Sequence, residues 1–357
     1  MPGRYSLIVI VVGWATLWSV RPGLAADDLA VPRALKWLAA QQRSDGSWSF
    51  DCPTGGDEES AGRGIFKYAR NGATGLTLLA FLSVGQTHTD GRYRNTVNRG
   101  LEYLLRNMQV RGDRGSLEDF DGRLYSHAWA TLALCEGYAM TRDERLQRPA
   151  QLALNHIIHR QDGRTGGWRY RPGRPCNIAL AGWMVKAMQS GHMAYLEVPP
   201  EAVKRISKFL DSVQSDGGAS YGHTKPGANP EATAIGLLCR CCLGWKRDHP
   251  ALRRGFDALL EREPRPSQLN ESYFLMLLVR LAAPNEANRD WRSEIRETLI
   301  AMQSDSDALD GSWYLPDGEP ATKWGGRLYC TTVSTLIMSV RFQVRIWPGP
   351  EDDDFPL

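Results

Sequence analysis

The run Gln42-Arg43-Ser44-Asp45-Gly46-Ser47-Trp48 is one of several copies of a single phrase. A helix ends in Gln, an Asp-Gly or Gly-Gly turn follows, then an aromatic, then a second and more apolar helix. Further copies run from Gln161 to Trp168, from Gln214 to Tyr221, and from Gln303 through Asp310-Gly311-Ser312-Trp313, with a weaker one from Gln109 through Asp113 to Gly115. Recurrence at roughly 40–65 residues is the mark of stacked helical hairpins, because one hairpin cannot bury its apolar face alone. Gly permits the positive φ that a helix exit needs, Asp bonds turn amides, and the aromatic packs back on the helix just ended. The phrase reads as a structural staple, with a catalytic Asp in it as the sharper alternative.

Apolar spacing at steps of three and four marks twelve helices in six pairs. The first members are Leu29–Gln42, Arg94–Met108, Leu146–Arg160, Pro200–Val213, Pro250–Glu261 and Trp291–Met302. The second members are Ala73–Val84, His127–Met140, Ile178–Ser190, Pro230–Leu243, Glu271–Leu281 and Tyr329–Val344. First members are amphipathic, as in Glu201-Ala202-Val203-Lys204-Arg205-Ile206. Second members are apolar nearly all round, as in Ala179-Leu180-Ala181-Gly182-Trp183-Met184-Val185. A helix apolar on every face is buried. The expected fold is therefore all-α, an α/α toroid of six helical hairpins with outer and inner rings.

Three regions are expected: a secretory signal over 1–26, the toroid over 27–347 and an acidic tail over 348–357. Arg4, the apolar run Leu7 to Val20 and the small residues Gly23-Leu24-Ala25-Ala26 fit an export signal cleaved near Ala25 or Ala26. The run is short for a spanning helix, which needs ~20 residues. Cleavage would leave no stable membrane span and place the chain in the periplasm or outside the cell. A net charge of +3 with no basic block argues against nucleic acid. Seven scattered cysteines leave disulfide connectivity open. Cys239, Cys241 and Cys242 share one apolar helical run, where core packing is favoured over metal binding.

The Gln-x-x-Asp-Gly-Ser-Trp phrase, with Gly166-Gly167-Trp168-Arg169-Tyr170 and Gly325-Gly326-Arg327-Leu328-Tyr329, resembles the repeats of squalene–hopene cyclases and of protein prenyltransferase β subunits. The likeness covers about residues 29–345 and implies a toroid with a central cavity, often holding an isoprenoid. It also allows a test of the family's catalytic sets. Class II cyclases carry Asp-x-Asp-Asp-Thr at the start of an inner helix; Arg174-Pro175-Cys176-Asn177-Ile178 stands nearest and holds no carboxylate. Prenyltransferases bind zinc through Asp-x-Cys-Tyr and Tyr-His-Thr. The matching runs here, Asn270-Glu271-Ser272-Tyr273 and Tyr329-Cys330-Thr331, change all three ligands. The resemblance therefore implies no metal and no cofactor.

Parallel inner helices gather their N-termini, with partial positive charge and free amides, at one end of the ring. Thr74, His127, Asn177, Glu231, Glu271, Tyr273, Tyr329 and Thr331 are expected there. The favoured reading is a binder that holds an apolar or isoprenoid-like ligand without turnover, using Asn177, Trp183, Tyr273, Phe274, Tyr329 and Thr331. The runner-up is a glycoside hydrolase or lyase with Glu231 and Glu271 as its carboxyl pair and His127 as a further candidate. A diverged terpene cyclase stands third. The sequence names no protein partner.

Overall fold

The structure, a computed structural model, describes residues 26–52, 62–282 and 289–340. The expected leader up to Ala25, the middle of the long loop at 53–61 and the acidic tail lie outside the described residues. Six outer helices are α1 (Ala26–Ala40), α3 (Arg94–Asn107), α5 (Glu144–Arg160), α7 (Pro200–Val213), α9 (Pro250–Leu260) and α11 (Arg289–Ala301). Six inner helices alternate with them: α2 (Arg70–Leu82), α4 (Arg123–Thr141), α6 (Ile178–Met193), α8 (Pro230–Cys242), α10 (Leu269–Ala282) and α12 (Pro320–Ser339). Each inner helix packs on the next, and α12 returns to α2, so the inner ring is closed. The chain is an all-α toroid of six hairpins.

Burial follows the pattern in the sequence. Helix α7 buries Ala202, Val203, Ile206, Phe209, Leu210 and Val213 and leaves Glu201, Lys204 and Lys208 in solvent. Helix α6 buries every residue from Ile178 to Val185, because outer helices and inner neighbours enclose it. Asn177 caps α6 by accepting from Ala179 N at 2.8 Å, and Asn229 caps α8 by accepting from Ala232 N at 3.0 Å.

Three copies of the repeated phrase tie one hairpin to the next. Gln161 donates from Nε2 to Gly166 O in its own turn at 2.8 Å and to Ala202 O in α7 at 3.0 Å. Gln42 spans likewise from Gly46 O to Thr96 O in α3, both at 2.9 Å. Gln303 reaches Gly311 O at 2.8 Å and Ala30 O in α1 at 2.9 Å, which sews the last hairpin to the first. Only glycine fits these turns. Gly166 has φ +84°, and a Cβ there would stand 1.9 Å from Arg205 O of the next outer helix. The aromatics close back as expected: the indoles of Trp48, Trp168 and Trp313 donate to Leu38 O, Ile157 O and Leu299 O at 2.7, 2.8 and 2.6 Å. The phrase's Asp residues serve the turn. Asp162 accepts from Thr165 and Arg169, and those bonds hold it well below the usual carboxylate range.

Two departures from the expected pattern have plain causes. The second and fourth links form short antiparallel hairpins, β1 (Gln109–Arg111) with β2 (Arg114–Ser116) and β3 (Gln214–Ser215) with β4 (Ser220–Tyr221). Runs of two or three strand residues are too short for alternation to be read. Helix α12 begins at Pro320 instead of Tyr329, because Glu319-Pro320 is a helix start and the non-helical Gly326 (φ 57°, ψ −152°) interrupts its period. All seven cysteines are free, and Cys239 and Cys242 are buried in the core. Among the described residues no helix is long and apolar enough to cross a membrane.

Candidate functional site: two ends of one ring

The N-terminal ends of the inner helices bring three carboxylates together. Glu231 opens α8, Glu271 opens α10 and Glu319 precedes Pro320 at the start of α12. Asn270 links two of them: its Nδ2 donates to Glu231 Oε1 at 2.5 Å and its backbone N to Glu319 Oε2 at 3.0 Å. Tyr329 donates to the other oxygen of Glu319 at 2.5 Å. Arg265 pairs with Glu271, and His223 Nε2 stands 3.7 Å from Glu231 Oε2. Burial pushes Glu319 up to about 8; the charges of Glu231 and Glu271 add to this, and the bonds from Tyr329 and Asn270 oppose it. Glu319 is therefore protonated at neutral pH, beside two carboxylates that accept donors. That arrangement supplies a proton donor in a polar setting.

The segment after the long loop lies against α12 at this end. Ile65 N and Phe66 N donate to Lys323 O and Trp324 O at 3.3 and 3.0 Å, and the Phe66 and Trp324 rings stack with centroids 5.5 Å apart. Tyr68, Phe120 and Trp324 remain exposed around it.

Aromatic rings fill the axis of the toroid. Tyr170, Tyr125, Trp129, Trp183 and Tyr273 follow one another at centroid separations of 5.9, 5.6, 5.9 and 5.3 Å. Phe274 packs edge-on against Trp183. Trp183 and Phe274 are buried in this column, so it divides the ring into two ends.

The large cavity lies at the opposite end, among the last turns of the inner helices. It holds about 810 Å³, within the range of small-molecule sites. Leu79, Leu132, Met140, Met193, Leu277 and Leu336 supply apolar wall. Tyr273 is in the lining as well, and with it stand Glu136 of α4 and Lys186 of α6. Lys186 Nζ sits 5.9 Å from the centre of the Tyr273 ring. Burial raises Glu136 to about 7 against the pull of the Lys186 charge and the Ser190 hydroxyl. Burial also works against the Lys186 ammonium, but Tyr273 and Glu136 outweigh it and its pKa stands above the ordinary value.

The residues singled out from sequence thus separate. Glu231, Glu271 and Tyr329 meet at the N-terminal end, and Tyr273 reaches the cavity. Asn177 caps α6, and Thr331 Oγ1 accepts from Trp313 N at 3.0 Å. Thr74 and Thr233 do the same for Trp48 N and Tyr221 N. His127 is fully buried; its Nδ1 accepts from Leu117 N and its Nε2 faces Ala153 O of α5, both at 3.1 Å. Burial lowers it to about 3, so it is a neutral brace to the outer ring. Glu319, Glu136 and Lys186 escaped the sequence reading. The last two were visible as charges inside mostly apolar inner helices, and Glu319 as an acid before a helix-starting proline.

The family profile of the squalene-hopene cyclase C-terminal domain matches residues 3–123. No curated protein matches the chain. Among solved structures, a variant of the type II terpene cyclase MstE from Scytonema, in complex with the substrate geranylgeranyl dihydroxybenzoate, aligns with a TM-score of 0.55 at 13% identity over 89% of this chain and 98% of that one. The cellobiose 2-epimerase of Spirochaeta thermophila aligns at 0.62 and 14% identity, over 89% and 95%. An inactive variant of the α-1,6-mannanase GH76A of a Salegentibacter species, in complex with α-1,6-mannotriose, aligns at 0.59 and 10% identity, over 89% and 99%. The resemblance to the squalene cyclase and prenyltransferase superfamily holds in the fold. The same ring also serves carbohydrate enzymes, so only the sites can argue function.

Proposed function

We propose that the chain binds an elongated, mostly apolar ligand, of isoprenoid-like character, in the cavity at the C-terminal ends of the inner helices, without converting it. The observation that carries this reading is the cavity itself, about 810 Å³ with leucine and methionine walls and a small polar cluster. The isoprenoid class draws support from the terpene cyclase of like fold and its geranylgeranyl substrate. Non-catalytic binding draws support from Arg174-Pro175-Cys176-Asn177, which offers no carboxylate where cyclases carry their acid. Farnesol is a suitable probe: saturable one-to-one binding is expected, the alcohol should be recovered unchanged, and Leu132→Trp, which intrudes on the apolar wall, should weaken binding. Absence of saturable binding, or binding indifferent to Leu132→Trp, refutes the reading. Export belongs to the same proposal and rests on the Arg4, Leu7–Val20 and Ala25 pattern; a retained Met1 in recovered protein counts against it.

A second reading has its own observation. Glu319, held protonated beside Glu231 and Glu271, is fitted to protonate a leaving oxygen, and exposed aromatics stand around that end. It supports carbohydrate chemistry there, with Glu319 as the acid. Glycan cleavage or epimerisation lost in Glu319→Gln would establish it in place of the first reading.

A further inference from the structure

We propose that the cavity takes its ligand polar end first, that this end is an anion such as a carboxylate seated at Lys186, and that Glu136 takes up a proton as it binds. The inference rests on the cavity-binding reading above. It begins from a mismatch between cavity and charge. Glu136 and Lys186 face a cavity instead of packed side chains. An acid and an ammonium set side by side in the ring's interior give it no stability that apolar side chains of like volume would not give as well. Ring closure therefore does not account for it.

The polar groups are also ordered in depth. Tyr273 lies only one turn from the start of α10, and Lys186 two turns before the end of α6; both are far below the rim. Glu136 and Ser190 stand somewhat higher, a turn or so before the ends of α4 and α6. Leu82, Met140, Met193 and Leu281 line the last turns above them. An amphipathic molecule entering from the rim buries its chain on these walls only if its head goes to the bottom.

The charges at the bottom select the head. Glu136 faces Lys186 and Ser190 of α6, with Cys135 beside it on α4. Lys186 faces Tyr273 of α10 and, from α8, Cys242 and Cys239, whose thiols burial keeps neutral. Asp90, Arg142 and Arg280 stand at the rim. Lys186 keeps its charge throughout the neutral range, while Glu136 titrates near 7, so the floor runs from neutral to positive as Glu136 takes its proton. A second carboxylate beside Glu136 raises its proton affinity further, and the ligand's anion then balances the Lys186 charge. A cationic head would meet the ammonium and is rejected.

The test compares farnesoic acid with farnesol, one chain carrying two heads. The acid is ionised throughout pH 6.5–9. Farnesoate should bind at least ~10-fold tighter than farnesol at pH 6.5, and its affinity should fall by up to ~10-fold per pH unit above 7, while that of farnesol stays level. Calorimetry in buffers of different ionisation enthalpy should register proton uptake with the acid alone. Glu136→Gln, which preserves shape, should remove the pH dependence and tighten farnesoate at pH 8.5; Lys186→Met should bring the acid down to the alcohol. Equal affinities for acid and alcohol, or a pH profile unchanged by Glu136→Gln, overturn the inference and leave the cavity reading standing. Binding of neither probe overturns both.

Discussion

The Gln staples allow a prediction in which the same substitution costs different amounts for stated reasons. In Gln161→Ala three bonds go: to Gly166 O, to Ala202 O and from Arg205 Nε, the last at 2.8 Å. Ala202 O still has its helical partner, so its share is ~1 kcal/mol. Gly166 O has no other donor and is left buried and unpaired, at ~1–3 kcal/mol. The total comes to about 2–4 kcal/mol. Gln303→Ala removes the two equivalent donations to Gly311 O and Ala30 O. Its Oε1, however, is buried without a partner, where that of Gln161 accepts from Arg205. Removing an unsatisfied oxygen returns ~1 kcal/mol, so Gln303→Ala should cost about 1–3 kcal/mol. Gln214 lies in a surface hairpin, not a staple, and Gln214→Ala should fall within ~0.5 kcal/mol of the parent. Gln161 and Gln303 share no partner, so the double variant should be additive within ~0.5 kcal/mol. Urea melts followed by far-UV circular dichroism measure all four. A Gln161→Ala cost below ~1 kcal/mol, or a Gln303→Ala cost as large as that of Gln161→Ala, would refute the reasoning.

Trp313→Ala should cost ~3–5 kcal/mol, since Trp313 is fully buried and its indole closes the last turn of α11; a loss under ~1 kcal/mol in the same melts would show that the ring does not depend on it. Glu319 gives a pH signature: from its ordinary 4.5 to its folded value of about 8 the folded chain holds a proton that the unfolded chain has released. Its contribution is therefore fully present below pH 4.5, falls as pH rises and levels off above 8, so Glu319→Gln should gain ~2–4 kcal/mol on the parent between pH 5 and pH 8, and parallel stability curves would contradict the assignment.

The ring was legible because each phrase residue acts within a few residues of itself and on the next repeat. Gln161 reaches its own Gly166, and Trp168 returns to Ile157 of the helix before it. Such jobs recur wherever the hairpin recurs, and the sequence shows them as repetition. The site obeys no such rule. Trp183 and Phe274 have the composition of cavity wall, yet the toroid's axis is narrow enough for one stack of rings to fill it, and they were consumed as packing. Thr74, Thr233 and Thr331, one on each of three inner helices, look like a ring of hydroxyls at a mouth; their recurrence instead marks them as acceptors for the phrase's backbone. What repeats in such a chain belongs to the ring. What belongs to the ligand should break the repeat, and Glu136 and Lys186 do so: each puts a charge into a mostly apolar inner helix, on adjacent helices and toward one cavity. Departure from the repeat, more than resemblance to a relative, is therefore the observation that directs experiments to the C-terminal end of the ring.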